Sequence, residues 1–198
     1  MLKRLKEPLE SDTKRLLLRT TRGIIDESGI DALTLREVGR RANLSRGAAY
    51  RHFRDKEDLL AAIAAEDFEL MLDGFKAFSS SALEPRELAR RMLLEFHSFG
   101  MASRVHYRLM FSTNWDGGKY PALRESAELA FGLARGLIAR LLPADGVEPA
   151  RAAERTALAF AFIHGLVELH LAGHYEESKG LDETERLVDE LLRLISAI

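Results

Sequence analysis

Residues 33–60, LTLREVGRRANLSRGAAYRHFRDKEDLL, constrain this chain more than any other stretch. They read as two short helices joined by a tight turn, followed by the start of a third. Thr34 can accept from the free N–H groups of a first turn, and Glu37 three residues on completes a capping box. Val38 and Ala42 stand at i, i+4 and face inward. Asn43 stops the helix, because its short amide tolerates the left-handed backbone that a tight turn demands. Ser45 is expected to cap the next helix, and Asp55, with Asp58 in box position, the one after.

The middle helix, SRGAAYRHF, carries almost no large apolar residue before Phe53. Small residues suit a helix whose backbone must approach a groove closely. Ala48 can touch a thymine methyl, and Arg46 can donate two bonds to guanine O6 and N7. Tyr50 and His52 offer donors to phosphate, Arg36 can reach a base edge or backbone, and Lys56 sits at a helix N-terminus that favours phosphate. Arg36, Arg40, Arg41, Arg46 and Arg51 decorate the exposed side. The plain alternative is a three-helix bundle with a solvated polar face. Turn, caps, small-residue helix and charge together favour a helix-turn-helix on DNA.

Charge supports a contact module attached to a body. Residues 1–56 hold 14 Lys+Arg against 8 Asp+Glu, and residues 57–198 hold 15 against 23. The net charge of −2 hides that split. Composition, at 46% apolar and 30% charged residues, allows a sizeable core and a well-coated surface. The chain has no cysteine, which excludes disulfides, thiolate nucleophiles and Cys-based metal sites. The first residues lack the apolar core of a secretory signal. The most apolar stretch, 157–167, is about half the ~18 residues a membrane span needs. These features lead us to expect a cytoplasmic protein with no membrane partner.

Helical periodicity continues to the C-terminus, and no run of period-2 alternation argues for a sheet. Helices are expected at 12–28, capped by Ser11 or Asp12, and at 55–78, 85–99, 104–111, 121–142, 149–172 and from Asp182 onward. Residues 79–85 and 143–149 read as turns. Arg15, Arg19 and Arg22 share one face of the first helix. Residues 86–175 concentrate Met and aromatic side chains that could line an adaptable apolar pocket. Phe96, Arg104, Tyr107, Phe111, Trp115, Phe160 and His164 are its candidate lining, although aromatic stripes more often simply pack. His170 and His174 stand at metal-compatible spacing without a third ligand, so no metal or other cofactor is expected. No phosphate loop, nucleophile elbow or HExxH occurs, so an enzyme is not expected.

The segment GIDALTLREVGRRANLSRGAAYRHFRDKEDLL resembles the N-terminal domain of the TetR family of bacterial regulators, almost position by position across residues 13–63. Gly39 stands where Ala is more usual, and Asn43 replaces the usual Gly. The resemblance implies DNA contacts at Thr34, Arg36, Ser45, Arg46, Gly47, Ala48, Tyr50, Arg51, His52 and Lys56. It implies an all-α fold of about nine helices. A three-helix helix-turn-helix DNA-binding domain would occupy 1–56, and a larger helical ligand-binding and dimerisation domain 57–198. Segments 106–112 and 161–175 resemble the subgroup named for a Trp-His-Gly motif, with Phe162-Ile163 ahead of His164-Gly165 and no Trp. The resemblance also implies that the last two helices form a two-fold dimer interface, here through Phe162, Leu166, Leu169, Leu187, Leu191 and Leu194. The expected function is a homodimeric repressor that binds a palindromic double-stranded operator and is released by a small apolar or amphipathic effector. A DNA-binding protein without an effector would differ only in a closed, fully packed body.

Overall fold

The computed structural model describes residues 2–45, 47–79, 82–142 and 149–196. Within them the chain forms α1 (Leu2–Ser28), a 3-10 turn (Ile30–Ala32), α2 (Leu35–Arg41), α3 (Ala48–His52) and α4 (Lys56–Ser79). Then come α5 (Pro85–Ala102), α6 (Arg104–Phe111), α7 (Pro121–Ala139), α8 (Pro149–Leu171), a 3-10 turn (Glu177–Lys179) and α9 (Thr184–Ser196). The described residues contain no strand, as the missing period-2 pattern requires. No helix among them is long and apolar enough to cross a membrane.

The chain packs as two units. The first is Met1–Asp67 with Arg108–Glu125, and the second is Phe68–Tyr107 with Ser126–Ile198. Helices α4 and α6 each begin in one unit and end in the other.

In the first unit, α1 packs on α2 and the 3-10 turn, and α2 packs on α3. Leu17, Ile24 and Ile25 of α1 are buried with Leu33 and Val38. Thr21 sits in the same stripe, fully buried, and is satisfied because its Oγ1 donates to the Leu17 carbonyl at 2.8 Å. Helix α1 starts ten residues before the expected cap, so neither Ser11 nor Asp12 caps it. Asp12 instead pairs with Arg15, one turn on.

The α2 boundaries follow the sequence closely. Thr34 Oγ1 accepts from the Glu37 N–H at 3.1 Å. The Glu37 carboxylate does not serve as the other half of the box but turns to Arg40 and Arg41. At the C-terminus the Leu44 N–H donates to Gly39 O at 2.9 Å and the Asn43 N–H to Arg40 O at 3.2 Å. That pair of bonds is a Schellman closure, and its left-handed residue is Asn43 at φ 54°. Asn43 is the only non-glycine residue with positive φ among the described residues.

Gly39 needs no such freedom. A Cβ there would lie 3.9 Å from the Ser45 carbonyl oxygen and 4.0 Å from Ala49 Cβ, both ordinary contacts. Gly39→Ala is therefore expected to raise stability by about 0.5–1 kcal/mol through helix propensity. A thermal midpoint unchanged or lowered in that variant would show that the α2–α3 contact is tighter than this.

Two sequence expectations on later caps need correction. Helix α3 starts at Ala48, after Gly47, with no side-chain cap; Ser45 contributes its backbone carbonyl, which accepts from the Ala48 N–H at 2.8 Å. Helix α9 starts at Thr184, so its cap position is Glu183 and Asp182 lies one residue too early to cap it. The turn expected at 143–149 lies mostly outside the described residues.

In the second unit, α5 packs against both α8 and α9. Leu88, Met92, Ile163, Val167, Val188 and Leu192 are buried there. Arg90 of α5 ties down α9 through Glu185 at 2.5 Å and Asp189 at 3.0 Å. Gly100 lies where α5 and α8 come closest: an added Cβ would meet Val167 Cγ1 at 2.6 Å.

Candidate nucleic-acid interface and an aromatic cluster

The expected DNA-contact residues fall into four groups. Thr34, Arg36, Ser45, Gly47, Tyr50 and Arg51 are exposed on α2, α3 and the turn between them. Tyr50 stands 56% exposed, an unusual state for a large aromatic side chain with no partner to cover it. His52 and Lys56 are partly exposed. Arg46 lies outside the described residues.

Ala48 departs from the expectation, being only 3% exposed. Its methyl faces the core of the first unit and is not presented to a base. Ala49, at 1%, is buried with it. The small residues of α3 thus serve close packing against α2, where Gly39 and Ala49 meet. Both demands, close packing and close approach to a groove, select the same residue sizes, so sequence alone does not separate them.

The five arginines also divide. Arg40 donates to Glu37 at 2.8 and 2.6 Å, and Arg41 donates to the same carboxylate at 3.0 Å and to Glu27. The hydrogen bonds from Arg40, then Arg41, hold the Glu37 carboxyl down to about 2. Arg40 braces α2 on its own surface, and Arg41 also ties it to α1 through Glu27. Arg36 and Arg51 are exposed and pair with no carboxylate among the described residues, which leaves their charge for an external anion. At the start of α4, Asp55 Oδ1 accepts from the Asp58 N–H at 2.8 Å, and the Asp58 carboxylate reaches back to the Arg54 N–H at 3.0 Å. This cap places Lys56 in the first turn of α4. Beside it, Lys119 pairs with Glu57 at 2.6 Å.

The second unit brings together four of the seven candidate ligand residues. Tyr107 Oη lies 2.8 Å from His164 Nδ1. Phe96 meets the His164 ring edge-on at 4.8 Å, and Phe160 lies against it at 4.1 Å. Phe131, which sequence reasoning missed, stands edge-on to Phe160 at 5.6 Å. Nothing local marks it, since α7 is apolar along much of its length. The cluster grades outward: Tyr107 is 1% exposed, Phe96 7%, and Phe131 and Phe160 40% each. Burial pushes the His164 imidazole down to about 4, so it is neutral near pH 7.

The other three candidates lie elsewhere. Arg104 is exposed at the start of α6. Phe111 and Trp115 belong to the first unit, where the Trp115 indole N–H donates to Leu109 O at 2.8 Å and the ring meets Tyr120 edge-on.

The histidines outside the cluster do not gather a metal set. His170 Nε2 lies 2.8 Å from Leu181 O, which can only accept, so that nitrogen carries the proton. In the neutral ring, His170 Nδ1 then accepts from His97 Nε2 at 2.8 Å. Burial, then electrostatic repulsion from the neighbouring His170, pushes His97 down, in keeping with a neutral His97. No group of three or more metal-ligating side chains forms among the described residues.

Of the dimer candidates, Leu169 and Leu194 are exposed at 42% and 50%, while Phe162 and Leu187 are half-buried. Leu166 and Leu191, at 4% and 9%, are corrected: they pack inside their own chain. The outward face of α8 lies one step round the helix, on Ala157, Leu158, Ala161, Gly165 and Leu169.

An exposed, capped helix-turn-helix on an all-helical chain defines a DNA-binding regulator of transcription, and comparison with known proteins narrows the class. Residues 17–63 match the model described as bacterial regulatory proteins, tetR family, and residues 89–195 match the tetracyclin repressor-like C-terminal domain. The chain belongs to the tetR family of transcriptional regulators. It is 41% identical over 58 residues to an HTH-type transcriptional repressor of Mycobacterium tuberculosis, covering 29% of this chain and 31% of that one. The chain spans only 31–41% of the length of the curated relatives it matches. Among solved structures, a protein of unknown function from Rhodococcus sp. RHA1 superposes with a TM-score of 0.73 at 26% identity, covering 93% of this chain and 92% of that one. A TetR variant from Acinetobacter baumannii AYE in complex with minocycline superposes with a TM-score of 0.62 at 24% identity, covering 91% and 94%.

Proposed function

We propose that this regulator is a homodimeric repressor that binds a palindromic operator in the bacterial cytoplasm and leaves it when a small apolar or amphipathic effector binds. The observation that carries the DNA half is the exposed, uncompensated set Arg36, Tyr50 and Arg51 on a pair of helices locked by the Asn43 turn. Thr34, Ser45, Gly47 and His52 complete the reading face, with Lys56 on phosphate and Arg46 as a further base contact. Residues 1–56 act as the reading head, and residues 57–198 supply pairing and effector response.

Two features support the rest. The outward stripe of α8 from Ala157 to Leu169 is apolar and mostly small, which suits close packing against a second copy, with Leu158 and Leu169 as its larger exposed groups and Leu194 exposed on α9. A dimer sets two reading heads about 34–36 Å apart, one turn of duplex DNA. The cluster of Phe96, Tyr107, Phe160 and His164 offers an effector aromatic walls and a neutral polar pair. The structural neighbour bound to minocycline makes a small-molecule site in such a body reasonable.

The test uses purified protein and its own upstream DNA. Wild type is expected to protect a palindromic site, and Tyr50→Ala or Arg36→Ala to lose about tenfold or more in affinity, as for one lost contact of ~1–3 kcal/mol. Wild-type affinity in both variants would sink the assignment of this face.

A further inference from the structure

The first helix carries an arginine that the DNA-contact face does not use. Arg22 leaves α1 and reaches two consecutive carboxylates of α4. Its Nη1 pairs with Asp67, and its Nη2 and Nε reach Glu66 Oε2 at 3.2 and 3.4 Å. The Asp67 side chain is only 3% exposed, whereas the Glu66 side chain is 34% exposed. Consecutive residues on a helix point about 100° apart. A planar fork that holds both therefore resists rotation of α4 as well as sliding.

The position of the clamp matters. Asp67 is the last α4 residue of the first unit, and Phe68 belongs to the second. Between the clamp and Lys56 lie ten residues of helix, a span of about 15 Å. The inward α4 residues along that span, Leu59, Leu60, Ile63 and Ala64, are all apolar. Apolar contacts are non-directional and allow a helix to turn or slip a little. The fork supplies direction. Because α1 packs on α2 and α2 on α3, fixing α4 to α1 also fixes Lys56 relative to Tyr50 and Arg51.

We infer that Arg22 is a positioning residue for operator recognition: with Asp67 and Glu66 it clamps α4 to α1, and so holds the α4 phosphate contact in register with the reading helix. The inference rests on the DNA-binding face proposed above, and not on the dimer or the effector. Random-sequence DNA, bound mainly through phosphate charge, is insensitive to that register, while a specific site is not.

The experiment selects a preferred DNA site in vitro with the full-length wild-type protein. It then measures affinity for that site and for random-sequence DNA at one salt concentration, together with the thermal midpoint. Arg22→Lys keeps the charge but replaces the fork with a point charge that cannot hold both carboxylates in fixed geometry. It is expected to lower the specific-to-random ratio about tenfold at a nearly unchanged random-DNA affinity. Because lone removal of Arg22 leaves a buried carboxylate and threatens folding, the second variant is Arg22→Met with Asp67→Leu. An apolar pair of this kind is expected to fold with a wild-type midpoint and still show the lowered ratio. A wild-type ratio in either variant overturns the clamp. Failure of the wild-type protein to select any site sinks the DNA face itself, and the clamp with it.

Discussion

Gly100→Ala is expected to destabilise the second unit by about 2–3 kcal/mol, the cost of forcing one carbon into a filled core. For a chain of this length that lowers the thermal midpoint by roughly 5–10 °C. The added Cβ would sit 2.6 Å from Cγ1 of Val167, 3.2 Å from Cγ2, and 3.4 Å from Cδ2 of Tyr107. Val167 is completely buried, and a β-branched side chain on a helix has one strongly preferred rotamer. Turning it swaps one methyl for the other and relieves little, so α5 and α8 must part. The companion Val167→Ala removes both offending methyls. Alone it costs about 1–2 kcal/mol for the space left behind. In the double variant the new methyl enters that space, and the total loss is expected to fall well short of the sum. Urea denaturation of the four proteins measures the coupling. Strictly additive losses would show that the approach of α5 to α8 is not set by this contact.

This glycine illustrates which parts of the molecule were legible in its sequence. Gly100 sits inside an apolar helical pattern, where a glycine reads only as a weak point. The need for it comes from Val167, sixty-seven residues away, and periodicity carries no information on such pairings. Local chemistry fared better. The Thr34 cap, the left-handed Asn43 and the Asp55–Asp58 cap each depend on atoms within four residues, and each forms, although the Glu37 carboxylate leaves its half of the box for Arg40 and Arg41. Where a local signal had two physical uses, the reading split. Small residues on α3 suit a groove or a neighbouring helix, and Ala48 serves the helix.

The body shows the same division. The wide apolar stripe of α9 marks a helix with a buried face, but which leucines meet their own core is settled by where α5 lies. Leu191 therefore turned inward while Leu194 stayed exposed. The sequence places Trp115 among the same candidate pocket residues as Phe160. It belongs instead to the first unit, beside Tyr120, because its indole N–H is satisfied six residues back on Leu109. His164 is a candidate from the sequence, yet its contact with Tyr107 spans 57 residues and waits on the fold.

The His164–Tyr107 pair makes the second large prediction, that stability falls as pH drops below neutral. His164 titrates near 4 in the folded chain, against 6.5 for an ordinary histidine, because burial opposes the charged ring. Between those values the unfolded chain binds more protons than the folded one, so stability rises with pH through that window. Above about 6.5 the contribution is complete, and below about 4 it is gone. The full shift corresponds to about 3 kcal/mol, and partial solvent access to the ring reduces it to roughly 2. The downward shift of His97 acts in the same direction. In the Nε2–H tautomer protonation also removes the Nδ1 lone pair that faces Tyr107 Oη, so the hydroxyl can no longer donate there. Urea unfolding at pH 7 and pH 5 is expected to show a loss of about 1–2 kcal/mol in wild type and a clearly smaller one in His164→Gln. Glutamine keeps a polar group in the cluster without titrating, which separates charge from packing. Equal losses in the two proteins would mean that His164 is not the group that titrates.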